Sequence, residues 1–225
     1  MWLGGEVTVR GCLFENCNGG EGGGGIDCTT LARIVDCTFV ECWAVSGGGV
    51  RVFGSSTVEG CVFIGNEAAQ EGGGVFASGY GSNAAIIEDC TFVGNVADHG
   101  GAVYCWSEEV HVLRCVLAFN SGGGAVACDG FLDEHVMRSN VLFENSGGDS
   151  LCGIYSDNLF TDPLLCGLYE DSPVRMDLGL CANSPCLPDN NSWGLSVGAL
   201  GEACGQCVSP VESMSWGRLK SLFRP

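Results

Sequence analysis

A short phrase of residues recurs along most of the first two thirds of the chain at a nearly constant spacing. It begins with cysteine or asparagine and ends two residues later with phenylalanine or leucine. Successive phrases begin 25, 24, 29, 25 and 25 positions apart. A near-constant period in this range is typical of stacked-repeat architectures, in which each repeat contacts only its neighbours. The phrases begin at Cys12, Cys37, Cys61, Cys90, Cys115 and Asn140.

The recurring residues within each phrase lie two positions apart, which is the spacing of a β-strand whose alternate side chains point the same way. Each repeat continues into a glycine-rich bend, such as Gly48-Gly49-Val50, and such bends disfavour helices. The pattern predicts short strands joined by bends, with about 25 residues in each turn of a coil. Successive turns are expected to lie about 4.8 Å apart, the distance between paired strands.

Equivalent residues of successive turns are expected to form columns along the axis. The cysteines share an inward column, where we expect reduced thiols packed as small apolar residues. The phenylalanines fill a narrow core, and the asparagines occupy a bend where their amides bond the backbone of neighbouring turns. These columns comprise Cys12, Cys37, Cys61, Cys90 and Cys115, then Phe14, Phe39, Phe63 and Phe92, and then Asn66, Asn95, Asn120 and Asn145.

The recurring Cys-Thr-Phe-Val-x-Asn followed by Gly-Gly-Val resembles the repeats of right-handed parallel β-helix proteins, and is closest to the polymorphic outer-membrane protein type. That type carries Gly-Gly-Ala-Ile and Phe-x-x-Asn in each turn. Residues 63–66 and 92–95 match the second motif fully, whereas Cys17 and Cys42 stand where its asparagine should be. The resemblance covers roughly residues 5–165. It implies an all-β, right-handed parallel β-helix of about six turns.

The repeat pattern ends near residue 165, which divides the chain into a predicted solenoid (1–165), a cap (166–207) and a tail (208–225). A solenoid needs an atypical terminal unit to cover its last apolar layer. The cap segments resemble the closing segments of secreted bacterial β-helix proteins. The basic, amphipathic tail is interpreted as a sorting signal or an interfacial membrane anchor, and the alternative is a frayed terminus or a helix packed on the solenoid. Six cysteines suggest disulfides in an oxidising compartment: Cys152, Cys166, Cys181, Cys186, Cys204 and Cys207.

Two pairs of cysteines in adjacent turns are the better candidates for disulfides within the coil. Cys17 and Cys42 both occupy the asparagine position, and Cys105 and Cys128 both follow the glycine-rich step. Stacked neighbours are close enough to bridge, since the Cα atoms of a disulfide lie about 4.4–6.8 Å apart. We therefore predict Cys17–Cys42 and Cys105–Cys128.

The composition argues against several classes of partner. The chain carries 27 acidic and 9 basic residues, for a net charge of −18, and nucleic-acid binding needs clustered lysine and arginine. No run of 18 apolar residues is present, so no transmembrane helix is predicted. The first residues do not read as a signal peptide, and the repeat already runs at Val7. We expect a leader and earlier turns to be missing from a protein that is extracellular or at the cell surface.

Parallel β-helices include polysaccharide lyases and hydrolases, so the outward positions beside the cysteine column are candidates for catalysis. Glu59, Glu88, Asp89 and Arg114 are expected to form an exposed patch across three turns. Convergent carboxylates and a base would suit glycoside hydrolysis or elimination, and Ca²⁺ would suit the same acids. The alternative is a row of solvated charges without catalytic function. No other cofactor or metal is predicted, because His99, His111 and His135 fall at different positions of the repeat.

The outward positions of the central strands form an apolar ribbon, which includes Val62, Ile64 and Val116. Such a ribbon is expected to be covered by the cap and tail or by another protein. The leading functional hypothesis is a non-catalytic, structural or adhesive module that contacts glycans or surface proteins. The alternatives are a polysaccharide-active enzyme or carbohydrate-binding protein on the same scaffold, and a fragment of a larger surface protein.

Overall fold

The computed structural model describes residues 2–3, 7–79, 84–106, 109–129, 134–166 and 178–206, so the predicted tail at 208–225 lies outside the described residues. These residues form a parallel β-solenoid of about seven turns built on three long sheets. The fold class is therefore confirmed, with one more turn than predicted. Each turn contributes a strand to sheet 1, then to sheet 2, and after a bend usually to sheet 3.

The strands of each sheet pair in parallel with the equivalent strands of adjacent turns. Sheet 1 contains β2 (Val7–Arg10), β5 (Ala32–Val35), β9 (Thr57–Glu59), β13 (Ala85–Glu88), β16 (Val110–Leu113), β19 (Val136–Arg138) and β21 (Ile154–Ser156). Sheet 2 contains β3 (Leu13–Glu15), β6 (Thr38–Val40), β10 (Val62–Ile64), β14 (Thr91–Val93), β17 (Val116–Ala118), β20 (Val141–Phe143) and β22 (Leu159–Phe160). Sheet 3 contains β1 (Trp2–Leu3), β4 (Ile26–Cys28), β8 (Val50–Phe53), β12 (Val75–Ser78), β15 (Val103–Cys105) and β18 (Val126–Cys128).

Smaller elements complete the described chain. The strands β7 (Trp43–Ser46) and β11 (Glu67–Glu71) pair at the bend between sheets 2 and 3. In the C-terminal region, β23 (Leu180–Cys181) pairs with β24 (Glu202–Cys204), and a 3-10 helix covers Pro188–Asn190.

The additional turn was missed because it is short. Asn158 begins a seventh phrase only 18 residues after Asn140, and its side-chain Oδ1 accepts the Asn140 backbone N–H at 2.9 Å. No strand of sheet 3 lies between β20 and β21 in the described residues. A turn that omits one of its three sides departs from the 25-residue spacing on which the prediction rested.

The phenylalanines lie in one column through the core. The rings of Phe14, Phe39, Phe63 and Phe92 stack with centroids 4.7–4.9 Å apart and planes within 6° of parallel. Adjacent backbones are held about one strand spacing apart, which is close to the separation of offset-stacked rings. The strand pairing and the ring stack therefore reinforce each other at every turn.

The asparagines form a second column, at the bend after sheet 2. Asn66 Nδ2 donates to Phe39 O at 3.0 Å and to Asn95 Oδ1 at 2.9 Å. Asn95 Oδ1 also accepts the Asn66 backbone N–H at 3.0 Å. The same arrangement recurs at Asn120 and Asn145. Each buried amide thus satisfies backbone groups at a corner where the sheets themselves supply no partner.

The C-terminal region covers the apolar ribbon over the later turns. Val93, Val116 and Val141 on the outer face of sheet 2 are at most 1% exposed, and pack with Leu180 and Val197 of the C-terminal region. At the other end of the same face Leu13 is 64% exposed. The cap thus packs beside the last turns of the solenoid, on an outer face of the coil.

The structure forms different disulfides from the two predicted in the coil. Cys128 bonds to Cys152, with Cα atoms 6.1 Å apart, whereas Cys105 is a free thiol. Cys105 and Cys128 are register partners in sheet 3, so their side chains leave the backbone in the same direction and lie side by side. Cys152 precedes a strand instead of lying within one, and its side chain turns toward Cys128.

The predicted Cys17–Cys42 disulfide is also wrong. Both thiols are free and approach backbone carbonyls instead, with Cys17 Sγ 3.6 Å from Glu15 O and Cys42 Sγ 3.5 Å from Phe14 O. The cysteine-rich C-terminal region does contain a disulfide, between Cys166 and Cys204. Cys207 lies outside the described residues.

Replacing Phe63 with alanine tests the central column. The side chain is fully buried, so we expect the free energy of unfolding to fall by about 3–5 kcal/mol. Urea titration measures this as a lower midpoint with an unchanged slope. Leu13→Ala is the matched control because Leu13 lies on the exposed face of the same sheet, and it should cost less than about 0.5 kcal/mol. Equal losses in the two variants would contradict the shared core.

Digestion under denaturing, non-reducing conditions, followed by mass spectrometry, tests the cysteine assignments. We expect linked peptides for Cys128–Cys152 and Cys166–Cys204, and alkylation of Cys17, Cys42 and Cys105 without prior reduction. The reduced, digested protein provides the unlinked reference masses. Recovery of a Cys105–Cys128 peptide would contradict the assignment.

Candidate functional site

A left-handed corner between sheets 1 and 2 positions the predicted charged residues. The residue before each cysteine phrase has positive φ: 52° at Asp36, 60° at Gly60, 53° at Asp89 and 51° at Arg114. This conformation suits glycine and is tolerated by aspartate, but costs other residues about 1–2 kcal/mol. The corner turns these side chains away from the core and aligns them on the outside of successive turns.

Arg114 connects two of the predicted acids. Its Nε and Nη2 donate to the two carboxylate oxygens of Asp89, both at 2.8 Å, and Nη2 also donates to Glu88 Oε2 at 2.8 Å. The three side chains are about a third exposed. The hydrogen bonds to Asp89, followed by those to Glu88, raise the pKa of Arg114 above its ordinary value. The guanidinium therefore remains charged at every physiological pH.

The remaining acids of this column also face arginines from an adjacent turn. Arg33 Nη2 donates to Glu59 Oε2 at 2.6 Å, and Arg10 Nη1 donates to Asp36 Oδ2 at 3.1 Å. Arg10 and Arg33 were absent from the predicted patch. The signal that could have found them is the spacing of 26 residues between each arginine and its acid, since 24–26 residues bring side chains to adjacent turns.

The C-terminal region closes one side of the charged column and creates a cleft. Gly198 N donates to Arg114 O at 2.7 Å, and Ala199 N donates to Thr91 Oγ1 at 3.0 Å. Gly198 has φ +83°, and an added Cβ would lie 2.8 Å from Val116 Cγ2. Only glycine lets the segment approach sheet 2 this closely.

The space between the column and this segment, here called the charged cleft, has a volume of about 440 Å³. The predicted residues Glu59, Asp89 and Arg114 line it, whereas Glu88 reaches it only through its bond to Arg114. The C-terminal wall was missed by sequence reasoning, because its contacts join residues about a hundred positions apart without any periodic pattern. The full lining is Asp36, Glu59, Gly60, Asp89, Arg114, Leu195, Ser196, Gly198 and Ala199.

The arginine contacts also bear on calcium binding in the charged cleft. Ca²⁺ needs six to eight oxygen ligands at about 2.3–2.6 Å. Here the cleft carboxylates of Asp36, Glu59 and Asp89 already accept hydrogen bonds from guanidinium groups. A calcium ion would have to displace these arginines, so the geometry does not form a cation site.

The histidines were predicted not to converge, but His135 lies beside cysteines. One nitrogen of its ring and the sulfurs of Cys105 and Cys128 lie within 4.8 Å of one another. His135 Nδ1 accepts the Val110 backbone N–H at 3.2 Å, and desolvation lowers the pKa of the ring. Cys128 is committed to its disulfide, and burial raises the pKa of the Cys105 thiol. With Cys128 in a disulfide, the group offers one thiol and one imidazole nitrogen.

Comparisons of the chain with protein-family models, with curated proteins and with solved structures found no match in any of the three. The described part of the chain contains no helix with the length and apolar character needed to cross a bilayer.

Replacing Arg114 with glutamine tests the charged column. The variant leaves Glu88 and Asp89 adjacent without their shared cation, and we expect the free energy of unfolding to fall by about 1–2 kcal/mol. Because the bonds to Asp89 and Glu88 raise the folded pKa of Arg114 above its ordinary value, this contribution persists from neutral into alkaline pH and is lost only when strong alkali deprotonates the guanidinium. Urea midpoints measured in low and high salt should show a smaller difference in high salt.

Arg10→Gln is the matched control for this experiment. Its pair with Asp36 joins side chains that are 60% and 58% exposed, so solvent screening should make the loss smaller than that at Arg114. A loss at Arg10 equal to that at Arg114 would show that the bidentate geometry contributes nothing.

Proposed function

We propose that the chain is a non-catalytic binding module of a secreted or cell-surface protein, with repeats of the polymorphic outer-membrane protein type. Its function is structural or adhesive, and its outer faces contact glycans or surface proteins. The charged cleft is the proposed contact site for a ligand that carries polar, hydrogen-bonding groups.

One observation carries this proposal: every acid of the predicted catalytic patch is already paired with an arginine. Glycoside hydrolysis needs one carboxylic acid that donates a proton and a second carboxylate that acts as base or nucleophile. Glu88 and Asp89 instead share Arg114, and Glu59 is held by Arg33. These bonds orient each carboxylate toward a guanidinium instead of toward the oxygen of a glycosidic bond.

The same geometry argues against proton abstraction by Arg114. A base that acts near neutral pH needs a pKa close to that pH. The bonds to Asp89 and Glu88 move the pKa of Arg114 in the opposite direction. An eliminating enzyme of the polysaccharide-lyase kind would require a different base, and the three histidines do not lie in the charged cleft.

The covalent cross-links support an oxidising location. Disulfides join Cys128 to Cys152 and Cys166 to Cys204, and such bonds persist mainly in secreted and surface proteins. The excess of acidic residues keeps a protein soluble and favours basic partner surfaces. Both features agree with an exposed binding module.

A combined cleavage and binding assay tests this function. The intact chain would be incubated with neutral and uronate polysaccharides, with reducing ends and unsaturated products measured. We expect no release above that of the triple variant Glu59→Gln, Glu88→Gln, Asp89→Asn. The labelled chain should bind arrays of glycans and of surface proteins, and Arg114→Gln should weaken that binding.

Arg138→Gln is the matched control for binding, because Arg138 lies on sheet 1 outside the charged cleft and bonds Ser156 at 3.2 Å. It should bind as the unaltered chain does. Cleavage that the triple variant abolishes would establish the enzymatic alternative instead. Absence of binding to every array, or recovery of the tagged protein only from the cell interior, would refute the proposed module.

A further inference from the structure

Four aromatic side chains lie together on the outer face of sheet 3, and none of them lines the charged cleft. We call Phe53, Phe76, Tyr104 and Trp106 the aromatic platform. Phe76 is at its centre, with ring centroids 5.8 Å from Phe53, 5.7 Å from Tyr104 and 6.0 Å from Trp106. The planes of these pairs are inclined by 24–50°, which gives a gently curved surface that spans three turns.

The aromatic platform is not needed to fill the core. The inward residues of the same strands, which include Val52, Ala77 and Cys105, are already fully buried. Phe76 is 7% exposed, but Trp106 remains 45% exposed at the edge, with Phe53 and Tyr104 half-buried. Cross-strand contacts between rings on an outer sheet face stabilise the fold by about 0.2–1 kcal/mol each. That stabilisation does not explain why the ring of Trp106 is exposed to solvent.

Charged groups of both signs border the aromatic platform. At one end Arg51 donates to both oxygens of Asp27, at 2.8 and 2.9 Å, and its guanidinium carbon lies 5.7 Å from the Phe53 centroid. At the other end, burial raises the pKa of the Tyr104 phenol, and the nearby charges of Glu71 and Asp129 raise it further. The border therefore places the Asp27–Arg51 pair at one end of the platform, and the Tyr104 hydroxyl with nearby acids at the other.

We infer that the aromatic platform binds a neutral oligosaccharide. A sugar ring presents an apolar C–H face that stacks on aromatic rings, and its hydroxyl groups both donate to carboxylates and accept from a guanidinium. The rings repeat at 5.7–5.8 Å from turn to turn, so a chain of sugars along the solenoid axis would contact Phe53, Tyr104 and the more exposed Trp106, with Phe76 supporting them from below.

Other ligands fit the aromatic platform less well. Polyanions such as nucleic acids or uronate chains are disfavoured by the net charge of −18. A cationic ligand would bind over the face of an aromatic ring. Arg51 already lies over Phe53 and would repel such a ligand there. A neutral, hydroxyl-rich ligand satisfies both constraints. This site rests on the proposed function and names the ligand of one outer face, but it lies on sheet 3 and uses none of the residues of the charged cleft.

Calorimetry and tryptophan fluorescence test the inference with soluble hexasaccharides of glucose, mannose, xylose, galactose and N-acetylglucosamine. We expect at least one to bind the unaltered chain saturably and to perturb the fluorescence. Loss of one stacking ring should weaken that binding about tenfold in Trp106→Ala, whereas Trp106→Phe should keep most of it. Trp43→Ala is the matched control, because Trp43 is 36% exposed on β7, and it should bind normally.

Several results would overturn the inference: no hexasaccharide binds, Trp106→Ala binds as tightly as the unaltered chain, or Trp43→Ala loses as much affinity. Unchanged urea midpoints would show that the Trp106 variants are folded. Arg114→Gln separates this site from the charged cleft. If that variant loses the sugar and Trp106→Ala retains it, the ligand lies in the cleft, and the aromatic platform fails while the proposed function stands.

Discussion

The stacking of each turn on equivalent residues of the next is the interaction on which the rest of this structure depends. Backbone pairing fixes the spacing of the turns, and identical side chains at that spacing then contact one another. The phenylalanine rings follow one another at 4.7–4.9 Å, and the asparagine amides bond to the amides above and below. Since every turn supplies partners for its neighbours, stability accumulates along the axis.

In the cysteine column, the same position of the repeat is occupied either by cysteine or by asparagine. Asn140 Nδ2 donates to Val112 O at 2.9 Å, and its Oδ1 accepts Cys115 N at 2.8 Å. One turn lower, Cys115 Sγ lies 3.7 Å from Ile87 O, in the equivalent place. The thiols therefore replace the asparagine amide with a smaller, weaker hydrogen-bonding group. Burial raises the pKa of Cys90 in this column, which keeps its thiol neutral.

The same stacking determines which side chains lie together on the outer faces. The left-handed corner displays Asp36, Gly60, Asp89 and Arg114 in line, and arginines one turn away neutralise the acids. On sheet 3 the outward residues form the aromatic platform, and on sheet 2 they form a ribbon that the C-terminal region covers. A scaffold with a satisfied core thus presents three chemically distinct faces, which is a property suited to binding.

Much of the fold and part of the site followed from local pattern. The period predicted the parallel coil, and the patch of Glu59, Glu88, Asp89 and Arg114 was located by counting back from each cysteine. The disulfides could not be derived, because bridging depends on the direction of each Cβ, which the spacing does not specify. The aromatic platform was overlooked although Phe53, Phe76, Tyr104 and Trp106 all follow glycine-rich steps at outward positions.

The sequence by itself determined which residues share a column, because a repeat of about 25 residues places equivalent side chains one strand spacing apart whatever surrounds them. Only the tertiary structure decided what meets each outer face. Gly198 and Ala199 close the charged cleft against residues about a hundred positions earlier, and Cys152 reaches Cys128 across a shortened turn. Such contacts do not recur with the repeat. They form only where folding brings two distant segments close together, and the spacing of residues in the chain does not predict which segments those are.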